Sequence, residues 1–227
     1  MKISKLFAFS LIIAAIALTG CASTRRNISY DPTWGDVTRI NMPVIGVLVP
    51  VSDQRTNTRV YPKQIIIHTN RGGEKTFDIN DRSVDEVIGE AFKAEIERMG
   101  VKLTMATDIV PPLDKKTSGD MKKELNEKYP DAAIAFGVNI KDFIATSQRK
   151  FFDDEVKITA EIEFNMLDLK TGDFITSDYK TEWADTVMSA KHNYMVDQLD
   201  KAILTLIQKN IRDNMTLRDT LVKIANQ

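Results

Sequence analysis

The sequence predicts an α+β domain, a largely antiparallel or mixed sheet with two long amphipathic helices packed on one face. Three observations predict it. From Val156 to Met166, apolar residues alternate strictly with polar ones, the period of a strand with one buried face. Val84, Val87, Ile88, Ala91, Phe92, Ile96 and Met99 recur at helical spacing. A second helical stripe follows in Val196, Leu199, Ala202, Ile203, Leu206, Ile207 and Ile211.

The chain opens with Lys2 and Lys5, then an uncharged run from Leu6 to Leu18, then Thr19-Gly20-Cys21. That apolar run is shorter than the roughly 20 residues needed to span a bilayer core. Residues 1–20 therefore read as a secretory signal. Cys21 is the single cysteine of 227 residues, so an internal disulfide is excluded. Leu18-Thr19-Gly20-Cys21 resembles the lipobox of bacterial lipoproteins. The resemblance implies cleavage before Cys21, a diacylglycerol on its sulfur, and a membrane partner held through that lipid. Each buried methylene contributes about 0.8 kcal/mol, so durable attachment takes two or more acyl chains. Ala22 follows the cysteine where an Asp would stand for inner-membrane retention, which implies an outer-membrane address.

Residues 21–43 read as the lipidated terminus and a tether. Ser23-Thr24-Arg25-Arg26-Asn27 is polar without periodicity, and Asp31-Pro32-Thr33-Trp34-Gly35 is turn chemistry. Fully extended, the 22 residues after Cys21 would reach roughly 70 Å. Tyr30 and Trp34 are expected to dock onto the domain, the alternative being a place near the lipid headgroups.

A single domain is expected over 44–213. Val44 to Val49, bounded by Pro43 and Pro50, is a continuous apolar run and suggests a strand covered on both faces. Ile65-Ile66-Ile67, the turn signal Asn70-Arg71-Gly72-Gly73 and Thr76 to Ile79 suggest a hairpin. Ser83 and Glu86 match a capping box, and Gly100 supplies the stop of the first helix. Lys93, Glu95, Glu97 and Arg98 fall largely off its apolar stripe.

Val101 to Met105 reads as a strand, Pro111-Pro112 as a loop, and Ser118 as the cap of a short helix over 119–128. Ala132 to Phe143 reads as a strand with Ile134, Phe136, Val138 and Ile140 on one face. Its other face carries Ala133, Ala135 and Gly137, so a neighbour is expected to pack closely there. After the alternating strand, Gly172 suits a left-handed turn position, and Phe174 to Val187 returns as the partner strand. The last helix is expected over 191–212, with 214–227 as a C-terminal extension, either frayed or a continuation of that helix.

Charge and motifs exclude several function classes. Removing residues 1–20 takes away two lysines and no acid, turning the formal charge of −1 into −3. A near-neutral, mixed surface argues against nucleic acid as a partner. His68 and His192 share no metal-ligand spacing, and no metal or other cofactor is expected. The chain lacks a G-x-S-x-G elbow, a P-loop and a G-x-G-x-x-G turn. Asp153-Asp154-Glu155 reads as a solvated strand start that discourages edge pairing. No catalytic residue is assigned.

Candidate contact residues remain. Asp53 and Arg55 follow the first buried strand, where a guanidinium and a carboxylate can clamp a loop or Arg55 can grip an anionic partner. Tyr179 and Trp183 share a face with Ile175, as core packing under a helix or as a recognition surface. The lipobox leader, tether, Val/Ile strand ending in Val51-Ser52-Asp53-Gln54-Arg55, helix ending in Gly100 and Asp-x-x-Thr-Gly turn together resemble the YajG-type bacterial lipoproteins. Auxiliary lipoproteins of ABC-type lipid transport systems share a similar plan. The resemblance implies an α+β envelope domain without catalytic activity. The expected function is binding or scaffolding in an envelope complex with a protein partner. The alternatives are a carrier of a small apolar ligand such as a lipid, and a hydrolase of envelope polymers.

Overall fold

A computed structural model describes residues 24–26, 39, 44–56, 64–69, 74–79, 83–149, 154–187, 205 and 208–226. Cys21, Tyr30, Trp34, Asp153 and His192 lie outside them, as does most of the helix expected over 191–212.

Nine strands among the described residues form one mixed sheet. They are β1 (Thr24–Arg26), β2 (Val44–Leu48), β3 (Ser52–Asp53), β4 (Gln64–Thr69), β5 (Glu74–Ile79), β6 (Val101–Met105), β7 (Ile134–Arg149), β8 (Asp154–Asp168) and β9 (Phe174–Val187). The helices are α1 (Val84–Arg98), α2 (Ser118–Lys128) and α3 (Met215–Ala225). The predicted α+β class is the one observed.

Strand β7 organises the sheet. Antiparallel β8 takes one edge over its whole length, from Ile134↔Asp168 to Arg149↔Asp154. The other edge is shared in succession by parallel β2, β3 and β4, at Gly46↔Ile134, Ser52↔Asn139 and Ile67↔Ala145. Strand β6 lies parallel to β2 beyond it. The hairpin β4–β5 is antiparallel, and β1 adds to β5 in parallel. The long antiparallel ladder β7–β8 includes the alternating strand; the short apolar run of β2 is parallel on both sides and buried except at Ile45, so it is not covered throughout on both faces as expected.

The two sheet faces bury separate cores. On one face Ile134, Phe136, Val138 and Ile140 of β7 and Ile158, Ile162, Phe164 and Met166 of β8 meet Val84, Ile88, Phe92 and Ile96 of α1. Leu217, Leu221 and Ile224 of α3 complete that core. Phe92 stacks on Phe164 and meets Phe136 edge-on, each with ring centroids 5.5 Å apart. On the other face Val47, Ala135 and Leu167 pack with Met121 and Leu125 of α2 and with Ile109 and Leu113. The helices are thus not confined to one face, and of the two long ones expected, only α1 falls wholly within the described residues.

The local devices follow the sequence. Ser83 Oγ accepts from the Glu86 amide while Glu86 accepts from the Ser83 amide. Gly100 has φ 101° and Gly172 φ 87°, left-handed positions that cost other residues strain. At Gly137, a methyl group would lie 2.6 Å from Leu113 Cβ, which is the close neighbour its small-residue face required.

Four expectations are corrected. Ser118 does not cap α2, because Thr117 holds the cap position; Asp114 Oδ1 accepts from the Lys116 and Thr117 amides instead. The outer face of β8 is only partly wet, since Asn165 and Leu167 are buried beneath the loop that carries Leu113. Glu95, placed off the helix stripe, is fully buried. Residues 214–227, expected as a frayed extension or a continued helix, hold a separate helix, α3, which is capped by Asn214 Oδ1 accepting from the Leu217 amide.

Candidate functional site

Strand β3 leaves the sheet beside the middle of β7 and positions the first candidate pair. Arg55 Nε donates to Asp53 Oδ1 at 2.8 Å, and Arg55 Nη2 donates to Asp53 Oδ2 at 2.6 Å. The Arg55 amide adds a third bond to Oδ1 at 3.2 Å. The Arg55 side chain is 5 % exposed and that of Asp53 is 20 % exposed. This is the bidentate clamp geometry that fixes a guanidinium in one orientation. It holds the chain after β3 and commits the fork of Arg55 to an internal carboxylate.

Next to this clamp a ladder of polar side chains runs from Gln54, just after β3, across β7, β8 and β9. Lys141 Nζ donates to Gln54 Oε1 at 2.7 Å and pairs with Glu163 Oε2 at 3.1 Å. Glu163 Oε1 accepts from Asn139 Nδ2 at 2.5 Å and from Asn165 Nδ2 at 2.8 Å. Asn165 Nδ2 also reaches the Leu113 carbonyl at 2.9 Å, and its Oδ1 accepts from Thr176 Oγ1 at 2.8 Å. Lys141 sits where the β7–β8 register shifts, an irregularity that re-aims a side chain. Asn139 Oδ1 is buried without a partner.

Burial pushes the Glu163 carboxyl up, but the Asn139 and Asn165 amides and the Lys141 ammonium outweigh it and hold it below its ordinary value. An anion with three donors already in place is a poor proton donor at neutral pH. The ladder clasps three strands and a loop; it does not array a nucleophile, a base and an oxyanion site.

A second ionic cluster lies under α1. Arg212 Nε and Nη2 donate to Glu95 Oε2 and Oε1, both at 2.8 Å, and Arg98 Nη1 donates to Oε1 at 3.2 Å. Glu95 is thereby paired on the core side of the helix. Beyond it, Ser177 Oγ of β9 donates to Asn214 Oδ1 at 3.1 Å, tying the α3 cap to the sheet.

The sequence-derived candidates are not gathered into one place. Asp53 and Arg55 meet each other. The register sets Tyr179 beside Ile162 and Trp183 beside Ile158, positions on the face that buries the core. The side chains of Tyr179 and Trp183, and Cys21 entirely, lie outside the described residues. Sequence reading missed Lys141, Glu163, Asn139, Asn165, Glu95 and Arg212. For Asn139 and Asn165 a signal existed, an amide in mid-strand, where such residues are depleted. Among the described residues no group of three His, Cys, Asp or Glu could hold a metal.

No protein-family model matches the chain, and no curated protein matches it in sequence. In three dimensions the chain is similar to a Xanthomonas campestris protein, XCC0632, of the family DUF330. The TM-score is 0.54 at 8 % identity, over 88 % of this chain and 99 % of that one. It also matches lipoprotein GNA1162 from Neisseria meningitidis with a TM-score of 0.34 at 7 % identity, over 72 % and 98 % of the two chains. The first of these likenesses shows a shared fold over nearly the whole length of that protein.

Proposed function

We propose that this chain is a lipid-anchored bacterial envelope protein, non-catalytic, acting as a binding or scaffolding component of an envelope complex at the periplasmic face of the outer membrane. The observation that carries the reading is Cys21, the single cysteine, closing Leu18-Thr19-Gly20 directly behind an apolar leader. Two or more acyl chains on that sulfur would hold the body at the surface without a spanning segment. No helix among the described residues is long and apolar enough to cross a membrane. The polar clusters support the non-catalytic part of the reading, because Asp53, Arg55, Glu163 and Glu95 are spent on internal pairs. The YajG-type assignment is part of this proposal and rests on the Val51 to Arg55 motif within its strand-helix-hairpin plan.

The test is fractionation of envelopes carrying the wild type or Cys21→Ser, followed by co-purification in mild detergent with the anchor intact. The wild type is expected in the outer-membrane fraction with a stoichiometric protein partner. A processed Cys21→Ser product that stays firmly membrane-bound refutes the anchor. Repeated recovery of the lipoprotein alone refutes the scaffolding role.

A further inference from the structure

We infer that β9 is an interface strand: its free edge pairs antiparallel with β9 of a second copy of this chain, about a two-fold axis at Tyr179, joining two sheets into one. The inference stands on the sheet alone and does not depend on the anchor at Cys21.

The sheet ends on one side in a long edge. Among the described residues β9 pairs with β8 alone, through an unbroken register from Leu167↔Phe174 to Asp154↔Val187. It spans 14 residues, against 5 for β6 and 3 for β1, which end the rest of the sheet. Edge strands are commonly kept from pairing by shortness, a bulge, a proline or charge. Strand β9 has no bulge and no proline; what it carries is charge.

Hydrogen bonds decide which residues face outward. The Asp168 amide donates to the Asp173 carbonyl at 2.9 Å, and bonded pairs recur at every second position of an antiparallel ladder. The odd-numbered residues from Ile175 to Asp185 therefore turn their backbone groups to β8, and the even-numbered ones from Phe174 to Ala184 turn theirs outward. In that outward row Thr176, Asp178, Lys180 and Glu182 are exposed, so the edge is open to solvent along its middle.

Charge then selects the partner. Lys180 pairs with Glu161 at 3.3 Å and Glu182 with Lys157 at 2.6 Å, whereas Asp178 has no ionic partner among the described residues. An inverted copy centred on Asp178 sets two aspartates face to face. Centred on Lys180, it opposes two lysines and sets Asp178 against Glu182. Centred on Tyr179, Asp178 of each strand meets Lys180 of the other. Opposite charges directly across a strand pair stabilise it, and like charges destabilise it. A centre at Thr181 sets Lys180 against Glu182, both already paired within the chain, and leaves Asp178 opposite Ala184. The Tyr179 register alone gives Asp178 a partner. It aligns the outward row from Phe174 to Ala184 with its own copy and adds about twelve backbone hydrogen bonds. The alternating signs that repel other strands accept this one.

The test is sedimentation equilibrium of the full chain in a density-matched detergent, with far-ultraviolet circular dichroism as the check that each variant is folded. The wild type is expected to be a dimer. Asp178→Lys opposes lysines at both contacts and is expected to raise the dimer dissociation constant about tenfold or more. Adding Lys180→Asp to it restores opposite charges in the Tyr179 register, but not in the Thr181 register, and is expected to recover the dimer. Asp178→Pro removes an outward amide that β8 does not use, so it is expected to give a folded monomer. A wild type that stays monomeric at every concentration overturns the inference. So does a dimer that Asp178→Lys or folded Asp178→Pro leaves undiminished, or a folded double variant that fails to regain it.

Discussion

Replacing Gly137 by alanine tests the packing of the second core directly. The added methyl would lie 2.6 Å from Leu113 Cβ and 3.0 Å from the Leu113 carbonyl oxygen, where carbon–carbon contacts prefer about 3.5–4.0 Å. Leu113 is fully buried and its carbonyl is held by Asn165, so about 1 Å of movement must come from a pinned loop. Such overpacking costs about 1–3 kcal/mol, offset by about 0.4–1 kcal/mol from the stiffer unfolded chain. The net loss is about 1–2 kcal/mol, or about 2–8 °C in Tm for a domain of this size. Thermal and urea unfolding followed by circular dichroism measure it. Leu113→Ala should not rescue the variant, since both overlapped atoms belong to Cβ and the backbone. At Gly46 the nearest atoms are Phe136 Cε2 and Leu103 Cδ1 at 3.0 and 3.1 Å, side-chain ends that can give, so Gly46→Ala should cost less. An unchanged or raised Tm for Gly137→Ala would refute the close approach.

Other outcomes follow from the ionic clusters and the caps. Arg212→Ala removes the bidentate partner of a fully buried Glu95 and should cost about 3–5 kcal/mol in urea unfolding, with Glu95→Leu/Arg212→Leu milder; a loss below about 1 kcal/mol would show that Arg98 suffices. Glu163 is held below its ordinary value of 4.5, so its contribution is present above that pH and is lost as pH falls through the lower folded value. Glu163→Gln should therefore flatten this part of the acid limb of the stability–pH curve, and an unchanged limb would contradict the ladder. Asn214→Ala removes the acceptor for the Leu217 amide and should cost about 1 kcal/mol, read as a lower urea midpoint at constant slope.

Local chemistry was legible where a residue's neighbours in sequence decide its state. The Ser83–Glu86 box, the Gly100 stop, the Gly172 turn and the buried face of β8 all appear as read, because each is set within a few residues. The crowding at Gly137 was legible as a run of small residues, although Leu113 as the neighbour was not. What escaped was pairing over long separations. Glu95 looked like a surface residue of α1 because its partner, Arg212, is 117 positions away. Asn165 looked solvent-facing because the loop that covers it lies 52 positions earlier. The parallel arrangement of β2, β3 and β4 along one edge of β7 has no local signature, so the sequence left the sheet as largely antiparallel or mixed without saying which strands run parallel. At the candidate site, the Asp53–Arg55 clamp was readable from spacing of two residues, whereas the Lys141–Glu163 pairing depends on which strands become neighbours.

The α3 helix closes the same core that β2 opens, with Leu221 and Leu48 in one cluster although 173 positions lie between them. A nascent polypeptide stopped short of residue 215 would lack Leu217, Leu221 and Ile224 from that core. Folding of such a body is governed by contacts of large sequence separation, which form slowly. The core would then be completed only once the last helix has been made.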